Sequence, residues 1–221
     1  MKFSGIIYVI ACNNCGHPAH YEGIASSNTF GMSSWTDGFN FYPMSDNSSS
    51  LFKCYSCSNI DWLSDAKKVG FMSVNDFVDD KNEVPDEIWR KSALVAEPTD
   101  TELCDALNNG LFKGTAKEKK ARIIAWWKSN DKYRYILNSE KGDDGLFCEN
   151  RLVNMNKLKD LLELRNISEL IMAAEISRES MNFEDTEHFL RGLNSDEEGL
   201  QLAISRILTL NEEKDFTVRK L

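Results

Sequence analysis

Four cysteines stand in two pairs, Cys12-Asn-Asn-Cys15 and Cys54-Tyr-Ser-Cys57, and carry the clearest chemistry in the sequence. A two-residue spacer lets both sulfurs of one turn face the same ion. Two such turns complete a tetrahedral shell of four thiolates, the coordination of structural zinc. Gly16, just after Cys15, supplies the freedom to take a positive φ where the first turn tightens. A closed shell leaves no coordination position for a substrate. The spacing therefore predicts a structural Zn2+ held by Cys12, Cys15, Cys54 and Cys57. A redox role for either pair is a poorer fit, because neither opens a helix in a βαβ setting.

The other reactive side chains offer less. His17 and His20 follow the first pair closely, but with four thiolates supplied they are expected at the surface or supporting the ligands. Cys104 follows Leu103 on the Leu103/Leu107/Leu111 side of its helix and Cys148 follows Leu146-Phe147, so both read as small apolar residues, and His188 stands alone on a helix. The aromatic insertion containing Trp35, Phe39, Phe41 and Tyr42 could stack on bases. Asp37 and Asp46 flank it, however, and no Lys or Arg occurs between Lys2 and Lys53, which favours a core or protein-contact role. Trp126-Trp127 read first as core and second as a partner groove. The run Lys117 to Arg122 reads as a solvated face. No phosphate loop, GxSxG, HExxH or dinucleotide fingerprint is present, and the acidic pairs Asp79-Asp80 and Asp143-Asp144 fall in loop-like stretches. No catalytic constellation emerges, and the expectation is a non-enzymatic protein.

At 221 residues the chain has room for one large domain or two small ones. The apolar share of 42% is ordinary, and no apolar run approaches the roughly 20 residues of a membrane helix. The net charge is -9, with -4 up to Val84 and -5 beyond it. A chain acidic in both halves is a poor generic binder of phosphate backbones and suits a basic protein surface better. Val9-Ile10-Ala11-Cys12 resembles a lipoprotein cleavage box. The single Lys and short apolar run before it are thin for a signal peptide, and Cys12 has a partner at Cys15. Reduced thiolates and a soluble, cytoplasmic setting are expected instead.

The elements that must position the thiolates follow from local pattern. Phe3 to Ala11 is β-rich and runs into the first cysteine turn, and Ala19 to Ala25 can return as its antiparallel partner. A hairpin turning at Asp37-Gly38 is expected within Ser26 to Ser50. Leu51 to Lys53 leads into the second turn and Ile60 to Leu63 leaves it; Asp65 to Phe71 is read as a short helix. An acidic stretch through Asp86 marks a boundary near residue 85. Beyond it the pattern turns helical. Capping boxes are expected at Thr99/Glu102, Thr115/Glu118 and Ser195/Glu198. Leu103, Leu107 and Leu111 share one face of a helix ending near Gly114, and a second runs from Ala116 to Asn130. A turn is expected at Gly142 to Gly145, and further helices near 149–165, 167–181, 184–192, 196–210 and 214–221. The fold class is α+β: a zinc-ribbon-like β domain over 1–84, then an all-α domain of antiparallel helical hairpins over 85–221.

Two resemblances attach to these residues. Residues 5–57, with the apolar strand, the CxxCG turn, Ser27-Asn28-Thr29-Phe30-Gly31, Trp35-Thr36-Asp37-Gly38 and the second CxxC, resemble a group of uncharacterised bacterial proteins. Ala125-Trp126-Trp127 followed by Asn130-Asp131 resembles the helical part of the same group. This likeness implies architecture and no activity. Ser58 stands where such a turn often has Gly. The stretch from Ala174 through Phe183 to Leu190 is similar to a tetratricopeptide hairpin, with Met181 where Gly is usual and Thr186 where Ala is usual. The expectation is an adaptor or inhibitor for a basic protein partner, a class that includes an antidote to a basic toxin. The alternative is a nucleic-acid-binding zinc ribbon.

Overall fold

The computed structural model describes residues 2–45, 50–73, 87–134 and 149–221. The expected boundary near 85, the Gly142–Gly145 turn, both acidic pairs and Cys148 lie outside the described residues. The fold is α+β, and the chain divides into two compact units. One comprises Met1–Met32 and Tyr42–Pro98, the other Ser33–Phe41 and Thr99–Leu221.

The first unit is built on β-hairpins. Strand β1 (Lys2–Ala11) pairs antiparallel with β2 (Pro18–Ser26), and the first cysteine turn forms their tip. Strands β5 (Leu51–Lys53) and β6 (Ile60–Trp62) repeat the arrangement around the second turn. The expected helix at 65–71 is instead strand β7 (Lys67–Ser73), antiparallel to β1. The register shifts between Val9↔Gly70 and Ile10↔Lys68, leaving Val69 as the extra residue of a bulge, so Val69 and Met72 both pack with Ile7, Val9 and Trp89 while Phe71 is exposed. Gly70 lies beneath the Trp89 indole, so closely that a Cβ there would run into the ring. Trp89 stands on the short helix α1 (Glu87–Arg90), and β8 (Ala93–Leu94) then pairs parallel with β2. The large sheet is ordered β7-β1-β2-β8. Residues 87–98, grouped with the helices in the sequence reading, thus belong to the β unit.

The second unit contains α2 (Asp100–Asn108), α3 (Glu118–Arg134), α4 (Glu149–Asp160), α5 (Ile167–Glu179), α6 (Phe183–Leu190) and α7 (Glu198–Glu212). Trp126, Met155, Leu158, Ala173 and Ile176 form one buried cluster, and Ile171, Ala174, Leu190, Ile204 and Ile207 another. The Thr99 capping box is present in full. The other two differ. Glu118 accepts from the Gly114 N–H and pairs with Arg122, while the Ser195 hydroxyl accepts from Glu197 N–H. Arg122 is buried, so the basic run is not simply a solvated face. Residues 214–221 are not helical: Lys220 bridges Trp35 in an antiparallel sense. In the α5–α6 hairpin, Met181 takes a φ of 60°, the left-handed conformation for which Gly is usual. Thr186 is buried and donates to the Ala174 carbonyl at 3.2 Å. Among the described residues no helix is long and apolar enough to cross a membrane.

Candidate metal centre

The two cysteine turns share one backbone design. Cys12 N–H donates to His17 O and Gly16 N–H to Cys12 O, at 2.9 and 2.8 Å. Cys54 N–H donates to Asn59 O and Ser58 N–H to Cys54 O, each at 2.8 Å. Both turns close through a positive φ, 72° at Gly16 and 58° at Ser58. Ser58 adopts it at a steric cost that glycine escapes. Asn13 ties the turns together, its amide donating to Asp61 Oδ2 at 2.8 Å and to Asp65 O at 3.1 Å.

These turns bring all four predicted ligands together: the sulfurs of Cys12, Cys15, Cys54 and Cys57 lie within 4.8 Å of one another. The cross-turn separations are 3.7 Å for Cys12–Cys57 and 3.6 Å for Cys15–Cys54. A tetrahedron with metal–sulfur bonds of about 2.3 Å has edges of about 3.8 Å, so the donor set has the size and chemistry for one tetrahedral ion.

As acids the thiols are not equivalent. Burial pushes Cys12 up to about 12. Cys57 is drawn down to about 6, first by the Asn14 side-chain amide 3.5 Å from its sulfur and then by the Asn59 backbone. Cys12 and Cys54 are buried, Cys57 is half-buried and Cys15 is exposed. Neither histidine joins the cluster. His17 meets the Tyr55 ring edge-on at 5.1 Å, and His20 Nδ1 lies 3.0 Å from the Ser92 hydroxyl.

The sequence reading missed a second polar centre, inside the helical unit. Strands β3 (Ser33–Ser34) and β4 (Asn40–Phe41) form the expected hairpin, with Gly38 at φ 77° in its turn. Asp37 at its tip is no surface acid: its side chain and that of Arg134 are both 0% exposed. The guanidinium grips the carboxylate twice, at 2.9 and 2.5 Å, and Asn130 adds a third donor at 2.9 Å. Trp127 Nε1 donates to the Asp37 carbonyl at 2.9 Å. The Arg134 guanidinium also lies 4.2 Å from the Phe39 ring centre and 5.5 Å from that of Trp35. Residues 219–221 extend the hairpin, with Thr36 N–H donating to Arg219 O and Leu221 N–H to Ser34 O.

Asn130 continues this network to Glu179, 3.1 Å away, where Trp126 Nε1 and Arg151 also converge at 2.8 and 2.7 Å. Complete burial pushes the Glu179 carboxyl up to about 8 against the pull of Arg151. The only advance signal was composition: an acid between aromatics near the first cysteines, and Asn130 with Arg134 one turn apart on a Trp-rich helix.

Comparison with protein-family models, with curated proteins and with solved structures finds no match.

Proposed function

We propose that the protein is a non-enzymatic protein–protein interaction module, an adaptor or inhibitor, with a structural zinc ion in its β unit and a basic protein as partner. The four-sulfur cluster carries the reading, since a donor set that fills the shell of one tetrahedral ion commits those residues to architecture. Zinc fits four thiolates at this spacing, and a reducing, cytoplasmic compartment keeps them available.

Charge supports the partner class. The chain carries -9, and Arg122, Arg134, Arg151 and Arg178 are buried against carboxylates rather than offered to a phosphate backbone. A basic toxin or nuclease domain neutralised by an acidic antidote is one member of this class. The test is affinity capture from the native host, followed by association kinetics with the captured protein. Attraction between opposite charges is screened over about 10 Å at 0.1 M salt, so the association rate should fall as salt rises. A rate that stays flat with salt removes the electrostatic argument. Tight, salt-sensitive binding to DNA or RNA with no protein partner replaces this reading with a nucleic-acid-binding zinc ribbon.

A further inference from the structure

We infer that the Trp35-Thr36-Asp37-Gly38-Phe39 tip is a clasp on the helical unit whose seating is thermodynamically linked to metal in the four-cysteine site. The connectivity carries the inference. Residues 33–41 fold as part of the helical unit, yet the chain before and after them belongs to the β unit. They lie between the two halves of the metal site, because the Cys15–Cys54 contact spans 39 positions and encloses them. One ion joining those cysteines closes the loop that displays the clasp, and closing a loop reduces the freedom its tip must give up on docking.

The β unit also prepares the neck of that loop. Asn28 N–H donates to Met44 O at 3.3 Å across it. Phe30 N–H donates to the Asn28 side chain at 3.0 Å, and Gly31 turns with a φ of 74° close enough to Pro43 that a Cβ there would touch it. With the metal bound and the β unit folded, the two arms of the hairpin leave from fixed, neighbouring points. With the metal lost, the same nine residues must find their seat from a slack chain.

What they seat on makes the link consequential. Undocking strips the bidentate partner from the fully buried Arg134, the Asp37 acceptors from Asn130 and Trp127, and the strand partner from residues 219–221. Arg134 would keep only Asp131 at 3.1 Å and the Trp127 carbonyl at 3.2 Å. Losing the bidentate partner of a buried guanidinium is unfavourable, so the helical unit holds a stake in the clasp. By linkage the coupling runs both ways: a seated clasp tightens the metal site by the factor that the metal tightens the clasp.

The reciprocal arm gives the sharper experiment, because it reads metal affinity from changes made outside the metal unit. It rests on the metal reading, so zinc content of the purified full chain is measured first; a chain purified without metal overturns both. Zinc affinity is then compared by chelator competition in full-length wild type, Asp37→Asn and Arg134→Lys. Leu103→Ala, which empties a fully buried position on α2 outside the clusters that hold Tyr133, Leu190 and residues 216–221, is the control. Asp37→Asn and Arg134→Lys should each bind zinc on the order of tenfold more weakly, while the control stays at wild type. In wild type, chelation should speed hydrogen exchange at the Trp127 indole and at residues 219–221. Wild-type affinity in both clasp variants, or unchanged exchange at these sites on chelation, overturns the clasp while leaving zinc in place. An equal loss in Leu103→Ala also overturns it, because general destabilisation then accounts for the effect.

Discussion

Ser58 and Gly16 occupy equivalent places in the two cysteine turns, and only Gly16 takes its positive φ freely. Replacing Ser58 with Gly should therefore stabilise the β unit by about 1 kcal/mol, read as a higher denaturation midpoint. A lower midpoint would mean that the serine side chain does work the backbone argument omits. Glu179 is informative in another way. Its ordinary value is 4.5, and burial raises it to about 8 in the folded chain. The folded state then holds a proton that the unfolded chain has already released. This stabilising contribution is complete below about 4.5 and is lost as pH rises through about 8. The melting temperature of wild type should thus decline between pH 6 and 9 more steeply than that of Glu179→Gln, whatever the variant's starting value. Parallel slopes would show that Arg151, Trp126 and Asn130 keep the carboxylate ionised throughout.

At the scale of elements, β7 rests on a close approach. A methyl group on Gly70 would displace the Trp89 indole from Ile7, Val9 and Met72. Gly70→Ala should destabilise the β unit by about 1–3 kcal/mol, measured by thermal unfolding. An unchanged midpoint would mean that α1 shifts freely. The same strand shows where the sequence was legible. The two cysteine hairpins could be read because ligand spacing and turn chemistry are local, and so could the helices, whose leucines recur at three and four. Residues 67–73 could not, because a short run with two lysines fits either period until β1 is there to pair with it. The failed capping boxes share one cause. The Thr115 and Ser195 hydroxyls accept from the N–H two residues on, at Lys117 and Glu197, instead of three, and Glu118 turns to Gly114 N–H and Arg122. Asp37 was illegible as a site because its partner Arg134 lies 97 positions away. At that distance only folding tells a buried acid from a solvated one.

Across the whole molecule, the proposed metal should set the order of unfolding. Cys54→Ser opens the four-thiolate shell, and a small β unit draws much of its folding free energy from such an ion. Hydrogen exchange on this variant should show β1 and β2 losing protection first, while the cluster of Ile171, Leu190, Ile204 and Ile207 keeps its own. Simultaneous loss in both would require one cooperative core and contradict the two-unit division.

The pairing of residues 219–221 with Ser34, Trp35 and Thr36 also orders events during synthesis. The Arg219 N–H and Thr36 Oγ1 that bond at 3.1 Å lie 183 positions apart. Every residue of the β unit has been made once Pro98 is joined, so its strands and cysteines can assemble while the helices are still being translated. The Ser33–Phe41 hairpin, which lies between its two segments but folds with the helical unit, cannot be finished then. At about 5–20 residues per second, it waits on the order of ten seconds for its last partners to emerge. Asp37 and Phe39 find Trp127, Asn130 and Arg134 once α3 has emerged. Until residues 216–221 follow, the Ser34–Trp35–Thr36 edge is displayed on the nascent chain, open to any chaperone or neighbour that reads an aromatic turn.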